Sequence, residues 1–339
     1  MMKAAVMTEF NKMEIKEMPS PQPKAEEVLV KVKACSVCGS DIHAFKEKVF
    51  GLEPPLILGH EVAGIVKKVG DKVNGLKIGD RVALEPAVPC RECELCKKGK
   101  YHMCQNTTHL AVDSDGGFAE YVKLHYLNVH KIGTDIPFIK ASLMEPIGVC
   151  LHGLKKAQLE LGESILIVGN GPFGLIFTQL ARLAGAGKVF VSGRRENRNR
   201  IARKYGARVI DIRDESVEKV INKETDNRGV DIVIDAAGTP SVFEDTFKVL
   251  RPGGRMVLFS YTKSEINLDI SPVHMNEYQL IGSCRCPNTF GDVAQLISSK
   301  KLDLSEIITH VFPLDEIKKA FAVVQDRKQK CIKAVIDIK

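Results

Sequence analysis

Ser164-Ile165-Leu166-Ile167-Val168-Gly169-Asn170-Gly171-Pro172-Phe173-Gly174 decides the fold of this 339-residue chain. Ser164 to Val168 is a short, continuous apolar run, as expected of a strand buried on both faces of a parallel sheet. A helical pattern runs from Pro172 to about Ala186. Between them, Gly169, Gly171 and Gly174 permit a tight turn and a close approach of the backbone to a pyrophosphate seated at the helix N-terminus. Such a glycine pattern alone is a weak signal. The strand before it and the helix after it make it strong.

Downstream the same rhythm repeats. Lys188-Val189-Phe190-Val191-Ser192 reads as strand, Arg195 to Tyr205 as helix and Arg208-Val209-Ile210 as strand; Asp231 to Asp235 and Arg255 to Phe259 continue the series. Strand and helix alternating at this spacing predict a doubly wound parallel sheet over residues 151–285. Upstream the chain is richer in turns. Val28 to Lys33, Val62 to Val69 and Arg81 to Leu84 read as short strands broken by Gly-Asp turns, which suggests a compact barrel-like domain over 1–150. After residue 285 the alternation ends. Helices at Asp292 to Lys300 and Leu314 to Gln325, then a strand at Ala334 to Asp337, are read as returning to complete the first domain.

The bulk numbers narrow the function classes. A chain of this length predicts two domains. Its 49 basic against 42 acidic residues give a net charge of +7, spread with no run of five or six like charges, so a nucleic-acid role gains little. No stretch approaches the 18 apolar residues a membrane span needs. The N-terminal residues lack the apolar core and cleavage site of a secretory signal, so the expected location is the cytoplasm.

Ten cysteines in a reducing compartment argue for metal ligation over disulfides where they cluster. Cys90, Cys93, Cys96 and Cys104 crowd into 15 residues, the short spacing of a closed four-thiolate structural zinc site. A second set is dispersed: Cys38, His60 and Glu61, with Glu145 as a further candidate. A catalytic zinc needs three protein ligands and one exchangeable position. Taken singly, His60 is equally a core histidine and Glu61 a surface carboxylate.

Their surroundings lift them. Cys38-Gly39-Ser40-Asp41-Ile42-His43 and Gly59-His60-Glu61-Val62-Ala63-Gly64, followed by Gly70 and Val73, resemble the zinc signature of the medium-chain dehydrogenase family. Asp115 to Tyr121 and Met144-Glu145-Pro146 are similar to that family too, and the likeness runs in order to the last residue. Within the family, Glu145 and the segment Arg285-Cys286-Pro287-Asn288-Thr289-Phe290 resemble the polyol group, the sorbitol, idonate and threonine dehydrogenases. The resemblance implies a GroES-like catalytic domain and a Rossmann domain. It implies zinc-dependent oxidation of a secondary alcohol with hydride transfer to a nicotinamide dinucleotide, and a homodimer or homotetramer. Cys38 and His60 would hold the catalytic zinc, with Glu61 or Glu145 completing the shell. Ser40 and His43 would carry the released proton, although Ser40 is also a fair helix N-cap. Cys150 is a rival third ligand, but on a regular helix five residues turn the chain about 140° beyond a full circle, which sets it away from Glu145.

Two other readings compete. A zinc-free reductase on the same scaffold lacks a use for the complete Cys38, His60 and Glu61 set. A zinc-binding nucleic-acid module needs a basic, base-stacking element near the cysteine lobe, and the chain has no Trp.

The choice of dinucleotide departs from the commoner pattern. An NAD enzyme of this fold places an acid at the end of the second strand to hold the ribose 2′-hydroxyl. Here that strand ends Val191-Ser192-Gly193-Arg194-Arg195. Gly193 leaves room, Ser192 can donate a hydrogen bond and two arginines suit a 2′-phosphate. NADP(H) is therefore expected over NAD(H). Arg285 suits a hydroxyl-rich or anionic substrate, or else contacts the cofactor.

Overall fold

The chain opens with a hairpin of β1 (Met2–Glu9) and β2 (Lys12–Met18). β3 (Glu27–Ser36) follows, and its valines at 28, 30 and 32 are fully buried on one face, the period-two signature of a half-buried strand. Then come α1 (Gly39–Lys46), β4 (Leu56–Ile57), β5 (Glu61–Val69), β6 (Arg81–Leu84) and β7 (Ala87–Val88). After these come α2 (Glu94–Lys97), β8 (Thr108–His109), β9 (Tyr121–His125), β10 (Val129–Lys131), α3 (Phe138–Ala141) and α4 (Met144–Ala157).

The alternating region supplies β11 (Ser164–Val168), α5 (Pro172–Leu183), β12 (Lys188–Gly193), α6 (Glu196–Lys204), β13 (Arg208–Asp211), α7 (Val217–Glu224), β14 (Val230–Asp235), α8 (Val242–Phe247), β15 (Leu250–Leu258), α9 (Ser271–Met275) and β16 (Gln279–Gly282). Its six strands lie in the order β13-β12-β11-β14-β15-β16, every neighbouring pair parallel. Strand order reverses at β11, so the crevice at its carboxyl end is the switch point where this topology binds ligands. The sheet's core gathers Leu166, Phe190, Ile210, Val233 and Leu250.

The chain closes with α10 (Phe290–Ser298), β17 (Ile308–Pro313), α11 (Ile317–Gln325) and β18 (Lys333–Asp337). β18 pairs antiparallel with β3, within a sheet ordered β10-β6-β5-β3-β18-β17 from which β9 branches at β3. A three-stranded sheet, β2-β1-β4, shares the same apolar core with it, around Phe118, Leu58, Val66 and Ile336.

This computed structural model describes residues 1–49, 51–262 and 265–339. It divides into two units, Met1–Gly148 with Cys286–Lys339, and Val149–Arg285. Among the described residues no helix is long and apolar enough to cross a membrane.

Several elements lay outside the sequence reading. These are α7 and the edge strands β16 and β17, whose residues are largely part-exposed. β15 begins at Leu250 rather than Arg255, running through Pro252-Gly253-Gly254 with an irregular register opposite Val230 to Ile232.

Candidate metal centres and dinucleotide cradle

The Cys90–Cys104 lobe is a closed thiol cluster. Its Sγ atoms approach to 3.4 Å (Cys90 and Cys104), 3.5 Å (Cys93 and Cys96) and 3.8 Å (Cys93 and Cys104). A disulfide needs about 2.05 Å, and none of the ten cysteines is disulfide-bonded. Four Zn–S bonds of about 2.3 Å give a tetrahedron with edges of about 3.8 Å, so these donors fit zinc with no position left open. The Cys90 and Cys93 N–H groups donate to Sγ of Cys104 and Cys90. Burial raises the Cys104 thiol, but its Cys90 and Asn106 donors outweigh burial and leave it at about 6, a ready thiolate.

The second cluster forms where two segments converge. Cys38 is the N-cap of α1, while His60 and Glu61 lie at the start of β5. Ligand atoms of these three side chains lie within 4.8 Å of one another. A thiol, an imidazole and a carboxylate form a mixed set of three, one short of a closed tetrahedron.

The surrounding groups orient each member. Asp41, 2% exposed, accepts from Cys38 N at 2.9 Å and Gly59 N at 3.2 Å, tying helix to strand. Its Oδ1 also lies 3.3 Å from His60 Nδ1, which leaves Nε2 as the ligating nitrogen. Burial lowers the His60 pKa, but Asp41 overrides it and holds the imidazole well above its ordinary value. Glu61 is fully buried, with one oxygen 2.6 Å from Lys333 Nζ on β18 and the other accepting from Ser36 Oγ. The His60 ring meets His109 edge-on, centroids 5.9 Å apart.

Glu145 does not join that triad. It sits in the first turn of α4, and burial, with Glu61 and Asp41 adding to it against His60 and Lys333, pushes its carboxyl up to about 7. Cys150, further along α4, has its Sγ 3.9 Å from Phe173 O. Ser40 is not the cap of α1; that position belongs to Cys38, and Ser40 lies in the first turn with His43 exposed one turn on.

In the second unit the glycine turn closes β11 onto α5. Gly169 has φ +107, Gly171 is the N-cap and Pro172 starts the helix. A Cβ at Gly174 would stand 2.0 Å from Gly169 O, so only glycine lets helix and turn meet. Phe173 packs edge-on against Phe259 at 5.1 Å. The first N–H groups of α5 are thus presented at the switch point, the arrangement that binds a pyrophosphate.

At the end of β12, Ser192 is buried and its carbonyl accepts from Gly169 N at 2.9 Å. Arg194 is exposed and Arg195 caps α6. The space beside Gly193, expected to be open, is taken: a Cβ there would lie 2.3 to 2.7 Å from the Asn170 side chain. Arg198, one turn along α6, reaches within 3.9 Å of a Cβ built at Gly171. Arg285 is part-buried with φ +64, the last residue of this unit.

Sequence reasoning missed Asp41, Lys333, Ser36, Asn170 and Arg198. Asp41 and Asn170 stood inside the quoted motifs and were legible as polar residues within them. Lys333 is 272 residues from Glu61 and carried no local signal.

Comparison with known proteins agrees with this geometry. Residues 24–134 match the alcohol dehydrogenase GroES-like domain and residues 172–299 the zinc-binding dehydrogenase family. Sorbitol dehydrogenase of Bacillus subtilis is 34% identical over 99% of this chain and 97% of its own. L-threonine 3-dehydrogenase of Pyrococcus furiosus is 36% identical over 93% and 92%. Among solved structures, galactitol-1-phosphate dehydrogenase from Escherichia coli superposes with a TM-score of 0.92 at 26% identity, covering 99% of this chain and all of that one. With both domain models matched in order and relatives aligned over nearly its full length, the chain belongs to the zinc-dependent medium-chain dehydrogenase family, in the group of the polyol and threonine dehydrogenases.

Proposed function

We propose that the protein oxidises the secondary alcohol of a polyol, sugar alcohol or sugar acid to the ketone, reversibly, using NADP⁺. R₂CHOH and NADP⁺ give R₂C=O, NADPH and one proton. The observation that carries this reading is the convergence of Cys38, His60 and Glu61 within 4.8 Å. Zinc at such a site supplies Lewis acidity that makes a hydroxyl more acidic, and a nicotinamide supplies the hydride acceptor.

The chain's own residues do the rest. Cys38, His60 and Glu61 hold the catalytic metal, with Asp41 orienting His60, and Lys333 with Ser36 orienting Glu61. Glu145, its carboxyl near 7, is poised to exchange a proton beside them. Ser40 and His43 share α1 three residues apart, leading from a part-buried hydroxyl to an exposed imidazole that delivers the proton to water. The Cys90, Cys93, Cys96 and Cys104 lobe holds a second, structural zinc, for two per subunit. The unit of 1–148 with 286–339 is the catalytic domain, and 149–285 binds the dinucleotide.

Gly169, Gly171, Pro172, Phe173 and Gly174 cradle the pyrophosphate. Absence of an acid at Gly193, with Ser192, Arg194 and Arg195 adjoining, supports NADP(H) over NAD(H). Arg285 meets the substrate or cofactor. Subunits pair as a homodimer or homotetramer, supported by the edge strand β16 and exposed Leu280, Ile270 and Met275.

The test is a screen of polyols, sugar acids, inositols and threonine with both nucleotides, read by nicotinamide absorbance. Cys38→Ser and His60→Ala should abolish turnover in folded protein. Retained activity in either, or no reaction with any secondary alcohol, would sink the reading, and a higher kcat/KM with NAD⁺ than NADP⁺ would sink the cofactor assignment.

A further inference from the structure

Gly193 ends the second strand of the parallel sheet, where an acid would set dinucleotide choice, yet its neighbourhood is filled. An added Cβ would stand 2.3 Å from Cγ, 2.4 Å from Nδ2 and 2.7 Å from Cβ of Asn170. These are side-chain atoms, so the contact would yield if Asn170 were free to swing away. It is not. Its Nδ2 donates to Asn199 Oδ1 at 2.8 Å and to Arg195 O at 3.2 Å. Asn199 is fully buried and donates to Asp211 Oδ2 at 3.1 Å. Asp211, paired across the sheet with Gly193, is clasped in turn by Arg213 Nε at 2.9 Å. Polar groups from α6, β13 and the loop beyond, with Arg195 O at the cap of α6, therefore fix one carboxamide over Gly193. Displacing it would strand buried donors and acceptors, which is costly.

We propose that Asn170 is a specificity-determining residue: its locked carboxamide occupies the place of a residue-193 side chain and keeps a carboxylate out of the ribose end of the dinucleotide site. A carboxamide fills the same space as an acid without repelling a 2′-phosphate. The inference rests on the NADP(H) reading above, and it has a separable consequence. Gly193 and Asn170 are sterically coupled, so installing an acid at 193 succeeds only when residue 170 is cut back.

Four proteins test this: wild type, Gly193→Asp, Asn170→Gly (which removes the Asn170 Cβ as well as its carboxamide), and the double variant. Binding of NADH and of NADPH is read by fluorescence titration, and folding by thermal unfolding. Gly193→Asp alone should bind both nucleotides about tenfold or more weakly, because crowding displaces the turn. The double variant should recover NADH to within about threefold of wild type while NADPH stays at least about tenfold down, through repulsion between carboxylate and 2′-phosphate. A purely structural role for Asn170 would move both nucleotides together and leave their ratio unchanged. Should Gly193→Asp fail to fold, Gly193→Ala with and without Asn170→Gly reads the same coupling as a drop in Tm and its recovery. The proposal is overturned if Gly193→Asp alone shifts the NADH to NADPH ratio as far as the double variant does. It is equally overturned if the folded double variant does not recover NADH. Wild-type preference for NADH would defeat the NADP(H) assignment alone, because the coupling is read from single against double variants.

Discussion

Replacing Gly174 by Ala tests the dinucleotide cradle most directly. The new Cβ would stand 2.0 Å from the carbonyl oxygen of Gly169, whereas a C···O contact settles at about 3.3 Å. Helix α5 and the turn must therefore part by about 1.3 Å, and the obstacle is backbone, which no rotamer change removes. Leu175, Ile176, Phe177 and Leu180 of α5 are buried, so the helix resists that shift at a cost of about 1–3 kcal/mol, typical of overpacking. Any N–H of the turn aimed at a phosphate at about 2.9 Å moves beyond useful reach. Losing two charge-assisted bonds of about 1.5–3 kcal/mol each, partly relieved by relaxation, leaves a deficit of about 3 kcal/mol, roughly a hundredfold in Kd. Gly171→Ala is the matched control. Its φ is −70, and the nearest atom to an added Cβ is an Arg198 nitrogen at 3.9 Å, so the fold has room for it. Titration with NADPH and NADH alongside thermal unfolding separates the two. Gly174→Ala should lower both affinity and Tm, whereas Gly171→Ala should lower affinity with Tm unchanged. A Gly174→Ala protein that binds within threefold of wild type would refute the steric argument outright.

Other outcomes follow from the same geometry. Cys93→Ser opens the four-sulfur lobe, so the zinc content should fall from two to one per subunit and Tm should drop while kcat of the folded fraction stays within about twofold; a single zinc in reconstituted wild type contradicts this. Glu145→Ala should lose most activity and Cys150→Ala little, because the Glu145 carboxyl feels His60 and Glu61 whereas the Cys150 sulfur lies 3.9 Å from Phe173 O; the reverse ranking would refute the role given to Glu145. Asp231 fixes Ser164, the first residue of β11, through N at 2.7 Å and Oγ at 2.6 Å, and is bound by Arg228 and Arg251. Burial raises its pKa, but these donors outweigh burial and hold the carboxyl far below the ordinary range. Its folded pKa is thus depressed, so its stabilisation is present above about pH 4 and is lost as pH falls below that. Asp231→Asn should cost about 3 kcal/mol at pH 7, with a gap to wild type that narrows below pH 4; a pH-independent gap in denaturant unfolding would refute it.

Much of this protein was determined locally. The strand-turn-helix of Ser164 to Gly174 needs only apolar continuity and three glycines, each acting within eleven residues. The thiolate lobe needs four cysteines within fifteen. Cys38, His60 and Glu61 were legible as candidates because each sits in a short motif, and tertiary folding brought them within 4.8 Å. What tertiary structure alone decided involves partners that share no local pattern. Lys333 neutralises Glu61 across 272 residues because β18 happens to lie beside β3. Gly193 looked vacant in sequence, since a missing side chain implies space. The fold fills that space from Asn170, 23 positions away, because parallel strands bring their carboxyl ends together and buried polar groups there must find partners.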